Sequence, residues 1–157
     1  MTGAAEKDAA EKQSGGPTVE FSHGGVCCGD LERSIRFYCD ALGFTLTRRL
    51  DIGASFEVLT ELPGYRAKVA FLHLGGRMME LVAAEFPEVT GPSERRPMNQ
   101  RGITHLCFNV SDLREVCRRI EAAGGSVHLQ TLTEMPVSDI VFCTDPDGTR
   151  IELVQVK

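Results

Sequence analysis

The sequence predicts an α+β fold made of two tandem β-α-β-β-β modules, because two patterns occur twice along the chain. A histidine followed seven residues later by Asp-Leu is found at His23 and again at His105, 82 positions further on (105 minus 23). The segment Gly-Arg-Met-Met-Glu-Leu-Val at 76–82 recurs as Gly-Thr-Arg-Ile-Glu-Leu-Val at 148–154, 72 positions further on (148 minus 76). Each copy therefore opens near a histidine and closes near a glutamate.

The repeat indicates one domain over residues 18–157, which follows an N-terminal tail at 1–17. The tail is rich in Ala, Glu, Lys and Gly and has almost no bulky apolar side chain, so we expect it to be disordered. The first module covers about 19–83 and the second covers 103–156. The segment 84–102, which contains prolines and several charges, is the predicted linker between them.

The first module begins with a predicted strand at 19–28. A helix follows from Asp30, because apolar residues recur at spacings of four, three and four between Leu31 and Leu42, and Gly43 ends it. Further strands are expected between breaks rich in glycine and proline, at 44–50, 56–59, 67–74 and 78–82.

The second module repeats this plan. A strand is expected at 103–110 and a helix at 112–123, where Asp112 and Glu115 form a capping pair and Gly124-Gly125 ends the helix. Three strands complete the module, at 126–132, 137–144 and 150–156, with an Asp-Pro-Asp-Gly turn before the last one.

Composition excludes several classes of function. A formal net charge of −5 provides no cationic surface for nucleic acid or an anionic membrane. No stretch approaches the roughly 20 apolar residues of a membrane span, and the N-terminus lacks a signal peptide. The six cysteines lie within strand and helix patterns without a CxxC pair, so disulfides are not expected. We expect a cytoplasmic protein that binds neither nucleic acid nor membranes.

The paired histidines and glutamates are expected on the same kind of sheet face. Side chains alternate between the two faces of a strand, and the apolar face is expected to pack against the helix. His105 is therefore expected on the other face of its strand, and so are Glu80 and Glu152 in theirs. Two imidazoles and two carboxylates neutralise a divalent cation and leave positions for water or substrate. We predict a metal site formed by His23, Glu80, His105 and Glu152.

Other polar residues receive a structural interpretation. His73 and His128 have no partner in the repeat, and we expect them to be hydrogen-bonded structural residues. Cys27 and Cys107 share strand parity with the histidines, and we expect buried small side chains rather than reactive thiols. Four arginines are candidates for binding an anionic substrate arm, although a solvated surface position is the better interpretation: Arg48, Arg49, Arg66 and Arg101.

The sequence resembles the vicinal oxygen chelate superfamily, which includes glyoxalase I, methylmalonyl-CoA epimerase, extradiol dioxygenases and the fosfomycin and bleomycin resistance proteins. The matching segments are the histidine at 23 with Gly-Asp-Leu-Glu-Arg-Ser-Ile-Arg-Phe-Tyr-Cys-Asp-Ala-Leu-Gly-Phe at 29–44, the stretches 76–82 and 103–113, and Asp-Pro-Asp-Gly-Thr-Arg-Ile-Glu-Leu at 145–153. The resemblance covers about residues 19–156. It implies two modules that form an open, barrel-like cup around one divalent metal (Ni, Co, Zn, Mn or Fe), often within a homodimer.

The resemblance also implies roles for the four residues. The ligand positions of the family map onto His23, Glu80, His105 and Glu152, and this His-Glu-His-Glu order is similar to that of bacterial nickel- or cobalt-dependent glyoxalase I. In such relatives a glutamate at the metal site acts as the base, which here is Glu152 or Glu80, and its partner returns the proton. The leading hypothesis is a metal-dependent isomerase, epimerase or lyase that moves a proton next to a carbonyl of a small-molecule substrate.

Two other classes of function stay open, because this fold supports many chemistries. An extradiol dioxygenase, or another oxygen chemistry, needs two histidines and one carboxylate, and Glu80 would then occupy a position that oxygen requires. A metal-free antibiotic-binding protein would have no use for the four ligands. The predicted rim at 50–66 has no recognisable signature for glutathione or coenzyme A, so the sequence does not name the substrate.

Overall fold

The computed structural model describes residues 17–157, so the predicted tail lies, except for its last residue, outside the described residues. The elements are, in order, β1 (His23–Cys27), α1 (Leu31–Leu42), β2 (Thr45–Ile52), a 3-10 turn (Ala54–Phe56), α2 (Glu57–Thr60), β3 (Arg66–Leu74), β4 (Arg77–Phe86), β5 (Leu106–Asn109), α3 (Leu113–Ala122), β6 (Ser126–Glu134), β7 (Ser138–Thr144) and β8 (Arg150–Val156). They form two four-stranded sheets, ordered β1-β4-β3-β2 and β5-β8-β7-β6. In each sheet the first strand runs parallel to the last, and the other pairs are antiparallel. The predicted α+β class and the two tandem modules are confirmed.

The two long helices begin and end close to the predicted positions. Asp30 precedes α1 and Asp112 precedes α3, and each carboxylate accepts a hydrogen bond of 3.0 Å from the backbone N–H three residues later. Gly43 ends α1 with a φ of 79°, and Gly124 follows α3 with a φ of 87°. These left-handed conformations favour glycine, so the local sequence determines where each helix ends.

Some predicted boundaries are wrong. The segment 56–59 is not a strand, because it belongs to the 3-10 turn and α2, and its apolar side chains do not face a buried sheet surface: Val58 is 93% exposed. Strand β1 is shorter than the predicted 19–28, and β5 is shorter than 103–110. Strand β4 extends to Phe86 and so includes the first residues of the predicted linker.

The two modules meet through their helices. Helix α1 packs on β3 and β4 of its own sheet, α3 packs on β6, β7 and β8, and α1 and α3 pack against each other. One continuous core therefore includes Tyr38 of α1 and Ile120 of α3, and the ring of Phe44 meets that of Phe108 at 5.9 Å. Within residues 17–157 no strand of one sheet packs extensively on a strand of the other. Each sheet thus has one face on the common core and one face turned away from it.

The turn before β8 fastens the second module to α1. The hydroxyl of Tyr38 donates a hydrogen bond of 2.9 Å to Asp145 Oδ2, and both side chains are buried. Asp147 Oδ1 accepts hydrogen bonds from the backbone N–H of Gly29 at 3.2 Å and from Arg33 Nη2 at 2.6 Å. Burial raises the pKa of Asp145, and the hydrogen bonds that it accepts oppose that rise.

Candidate metal centre

The first histidine–glutamate pair lies on the open face of the first sheet. Strand β1 runs parallel to β4 and places Gly25 opposite Glu80. The Nε2 atom of His23 lies 3.6 Å from Glu80 Oε2, and both side chains are partly exposed. The ring of Phe71 meets the imidazole edge-on at 5.9 Å. One nitrogen and one carboxylate oxygen are therefore close together and accessible to a ligand.

The second pair repeats this arrangement on the open face of the second sheet. Strand β5 runs parallel to β8, and Cys107 lies opposite Glu152. His105, just before β5, has its Nε2 atom 3.3 Å from Glu152 Oε2. The ring of Phe142 meets this imidazole at 5.8 Å. The strand parity that the sequence predicted for all four residues agrees with these positions.

A hydroxyl group lies within hydrogen-bond distance of the Nδ1 atom of each histidine. Ser22 Oγ lies 2.9 Å from Nδ1 of His23, and Thr104 Oγ1 lies 2.9 Å from Nδ1 of His105. When the hydroxyl accepts the Nδ1 proton, the Nε2 lone pair is left free toward the glutamate, which is the tautomer that a metal ligand requires. Sequence reasoning missed these two residues, although they are 82 positions apart (104 minus 22), the same offset as the histidines.

The two pairs do not converge within one chain. Among residues 17–157 no group of three or more His, Cys, Asp or Glu side chains is arranged to hold one metal ion. The cause is the packing of the modules, because the helices lie at the common core and the polar sheet faces turn away from it. Each pair nevertheless has the nitrogen and oxygen donors that suit a divalent metal, and it supplies half of the predicted ligand set.

The cysteines are all free thiols. The expectation that Cys27 and Cys107 are buried is wrong, since both are exposed on the same open faces as the histidines. Desolvation, and then the neighbouring Glu152, raise the pKa of Cys107 to about 11, while burial raises the pKa of Cys28 to about 11 and that of Cys143 to about 12. These thiols are therefore protonated at neutral pH and are poor nucleophiles.

The second pair has cationic neighbours that the sequence did not single out. Arg150 is 8% exposed, its guanidinium carbon lies 5.0 Å from the centre of the Phe142 ring, and its Nη2 atom donates a hydrogen bond of 2.6 Å to the carbonyl of Arg96. His128 Nε2 lies 3.4 Å from the hydroxyl of Thr144. Burial lowers the pKa of His128, and the charges of Arg95 and Arg150 lower it further.

A cavity of about 370 Å³ opens beside this pair. It lies between the edge strand β1, the segment before β5 and the turn before β8. Its lining includes His105, Arg150, Arg96, Glu94 and Asp147, together with Thr104 and Thr149. Asp147 forms an ion pair with Arg33. In the same cavity, the candidate ligand His105 lies close to Arg96 and Arg150.

None of the arginines considered from the sequence lines this cavity. Arg49 forms a bidentate ion pair with Glu32, with one contact at 2.9 Å. Arg66 stacks on Phe86 at 5.3 Å, and the exposed Arg48 lies 5.8 Å from the ring of Phe71 on the first sheet. Arg101 is exposed in the segment before β5.

No helix formed by residues 17–157 has the length and apolar character needed to cross a membrane.

Comparison with known proteins identifies the family. A model of the Glyoxalase/Bleomycin resistance protein/Dioxygenase superfamily matches residues 20–153. The lactoylglutathione lyase of Salmonella typhimurium is 34% identical over 130 residues, which are 82% of this chain and 87% of that protein. A glyoxalase family protein from Bacillus cereus has the same fold, with a TM-score of 0.81, 17% identity and coverage of 92% of this chain and 99% of that one. A trypanothione-dependent glyoxalase I from Leishmania major matches with a TM-score of 0.61 and 22% identity, over 88% of this chain and 87% of its own.

These findings confirm the resemblance stated from the sequence, and they confirm the expectation of an enzyme of the glyoxalase type, since the curated relatives are named as lyases. The family match spans both modules and includes both histidine–glutamate pairs. The chain belongs to the Glyoxalase/Bleomycin resistance protein/Dioxygenase superfamily.

Proposed function

We propose that the chain is a divalent-metal-dependent lyase of the glyoxalase type, which moves a proton on a carbon next to a carbonyl of a small-molecule substrate. The observation that carries this proposal is the symmetric pair of half-sites, with Nε2–Oε2 distances of 3.6 and 3.3 Å and a hydroxyl behind each histidine. The name lactoylglutathione lyase of the relatives supports a thioester product.

We further propose that a homodimer completes the metal centre. His23 and Glu80 of one copy would face His105 and Glu152 of a second copy, so that two copies form two centres. The open, partly exposed faces that carry the pairs support this arrangement, because a two-fold axis brings the first module of each copy to the second module of the other. A single chain would offer each metal ion only two ligands.

The proposed roles of the residues follow from their chemistry. Four protein ligands would leave two positions of a six-coordinate ion for neighbouring substrate oxygens. When bound, the ion supplies positive charge that stabilises the oxyanion formed as the proton leaves. Glu152 would remove the proton and Glu80 would return it to the neighbouring carbon, while Phe71 and Phe142 beside the histidines limit the access of water.

Subunit complementation tests the shared centre. We expect His23→Ala and His105→Ala each to lose metal and activity when purified alone. After the two variants are unfolded together and refolded, half of the dimers are mixed, and one of their two centres has all four ligands. About one quarter of the wild-type metal content and lyase activity should therefore return. Metal analysis of the refolded mixture measures the first quantity, and thioester formation from methylglyoxal and glutathione measures the second.

The control is a mixture of His23→Ala and Glu80→Ala, whose changes lie in the same module. Every centre of a mixed dimer then lacks a ligand, so neither metal nor activity should return. Recovery in neither mixture would contradict the shared centre and favour four ligands from one chain. If Glu80→Ala alone retained full metal content and activity, the four-ligand proposal would be wrong, and a three-ligand oxygen chemistry would gain support.

A further inference from the structure

Arg150 lies beside the second histidine–glutamate pair, and within residues 17–157 it forms no ion pair with a carboxylate. Arg150 is two residues before Glu152 in β8, so both side chains point to the open face of the second sheet. Its position over Phe142, whose ring also contacts His105, places the guanidinium within the surroundings of the proposed centre. Arg95 lies in the segment between the modules and is next in sequence to Arg96, whose carbonyl accepts the 2.6 Å hydrogen bond from Arg150.

The charge of these arginines is not balanced by the described part of the chain. In residues 17–157 neither Arg95 nor Arg150 forms an ion pair with a carboxylate. The Nη1 atom of Arg95 is buried and has no hydrogen-bond partner, while Arg150 is 8% exposed and donates only to a backbone carbonyl. A buried cation such as Arg150 normally has a counter-charge, because removing it from water is costly.

We propose that Arg150 and Arg95 form an anion subsite that binds a carboxylate or phosphate group of the substrate. The role in catalysis rests on the proposed function, whereas anion binding itself does not. Residues two apart in a strand are separated by about 7 Å, so an anion at Arg150 and a reacting carbon at Glu152 fit within one small molecule. The cavity of about 370 Å³ that reaches both Arg150 and His105 provides the space. The substrate class is therefore a small carbonyl compound with an oxyanion group close to its reacting carbon.

Anion titration of the full-length protein tests this subsite without reference to activity. Inorganic phosphate and malonate are titrated separately by calorimetry into chelator-treated and metal-loaded protein. We expect at least one of them to bind in both states, and the tighter one indicates whether the natural group is a phosphate or a carboxylate. Arg150→Met and Arg95→Gln should each weaken binding by about 10- to 100-fold, the usual effect of losing a charged hydrogen bond.

Arg48→Met is the matched control, because Arg48 also stacks on a phenylalanine next to a ligand histidine but is exposed to solvent. It should change the affinity by less than about twofold. If Arg150→Met does not fold, the anion affinity of Arg95→Gln, whose change lies in the linker, decides whether the subsite exists. Failure of the wild type to bind either anion, or unchanged affinity in the folded variants, would overturn the subsite. Anion binding by a wild type that takes up no metal would support the subsite while contradicting the proposed function.

Discussion

Replacement of Tyr38 by phenylalanine measures the strength of the contact between the modules. The change removes one buried hydroxyl, whose oxygen lies 2.9 Å from Asp145 Oδ2, and leaves the packing of the ring intact. The other oxygen, Oδ1, keeps its hydrogen bonds from the backbone N–H groups of Asp147 and Thr149, at 3.0 and 2.8 Å. Oδ2 would have no hydrogen bond within the described residues. Losing a hydrogen bond to a buried charged group costs about 1.5–3 kcal/mol, so we expect the free energy of unfolding to fall by about 2–3 kcal/mol at neutral pH.

The cost should depend on pH in a defined direction. Burial raises the pKa of Asp145 above its unfolded value, so ionisation of this carboxyl opposes folding, and stability decreases as pH rises from the unfolded pKa through the folded one. The tyrosine hydroxyl stabilises the ionised form, and its removal raises the folded pKa further. The variant should therefore lose more stability at pH 7 than near pH 4, where a larger share of Asp145 is protonated in the folded protein and the lost hydrogen bond involves a neutral carboxyl more often.

Urea unfolding followed by circular dichroism, at both pH values and at equal protein concentration, measures both effects. Tyr65→Phe is the control, because Tyr65 is the other tyrosine, is also buried, and makes no side-chain hydrogen bond within residues 17–157. The control should lose less than about 0.5 kcal/mol at either pH. An equally small loss for Tyr38→Phe, or a loss that grows as pH falls, would refute an ionised Asp145 held by this hydroxyl.

Two further predictions concern close packing and ligand orientation. A Cβ atom on Gly125 would lie 2.5 Å from the carbonyl oxygen of Thr144, so Gly125→Ala should lower the free energy of unfolding by about 1–3 kcal/mol in urea titrations, whereas Gly53→Ala, with nothing within 4 Å, should have little effect. Ser22→Ala and Thr104→Val remove the hydroxyls behind the ligand histidines and should each weaken metal binding by about 10- to 100-fold in competition with a chromogenic chelator; unchanged affinity would contradict their orienting role.

The sequence contained most of the fold because its signals are local. The offset of 82 residues pairs the two histidines, and alternation along β4 and β8 gives the faces of Glu80 and Glu152 correctly. The residue patterns alone do not predict how the two modules pack against each other. The sequence predicts one stripe of apolar residues on α1, between Leu31 and Leu42, but Phe37, beside Tyr38 and outside that stripe, is also fully buried. This second buried face shows that α1 packs on both its own sheet and the other module.

In the candidate site, too, the residues that could be predicted are those marked by the local sequence. The hydroxyls of Ser22 and Thr104 lie next to the histidines in sequence and keep their offset, so the repeat itself was sufficient to find them. Arg95 and Arg150 gave no such signal. Arg150 corresponds to Met78 in the first copy, and Arg95 lies between the copies. Only the folded chain brings Arg150 into hydrogen-bond contact with Arg96, the residue next to Arg95.

The turn before β8 makes the two copies of the repeat unequal. Asp145 and Asp147 grip α1, whereas the matching positions of the first copy are His73, which is exposed, and Gly75, which has no side chain. These hydrogen bonds therefore link the turn of the second copy to the helix of the first, and the corresponding turn of the first copy has no such carboxylates. A protein built from two copies of the first module would keep the repeat pattern but lose this fastening, so the order of the modules along the chain carries information that their shared fold does not.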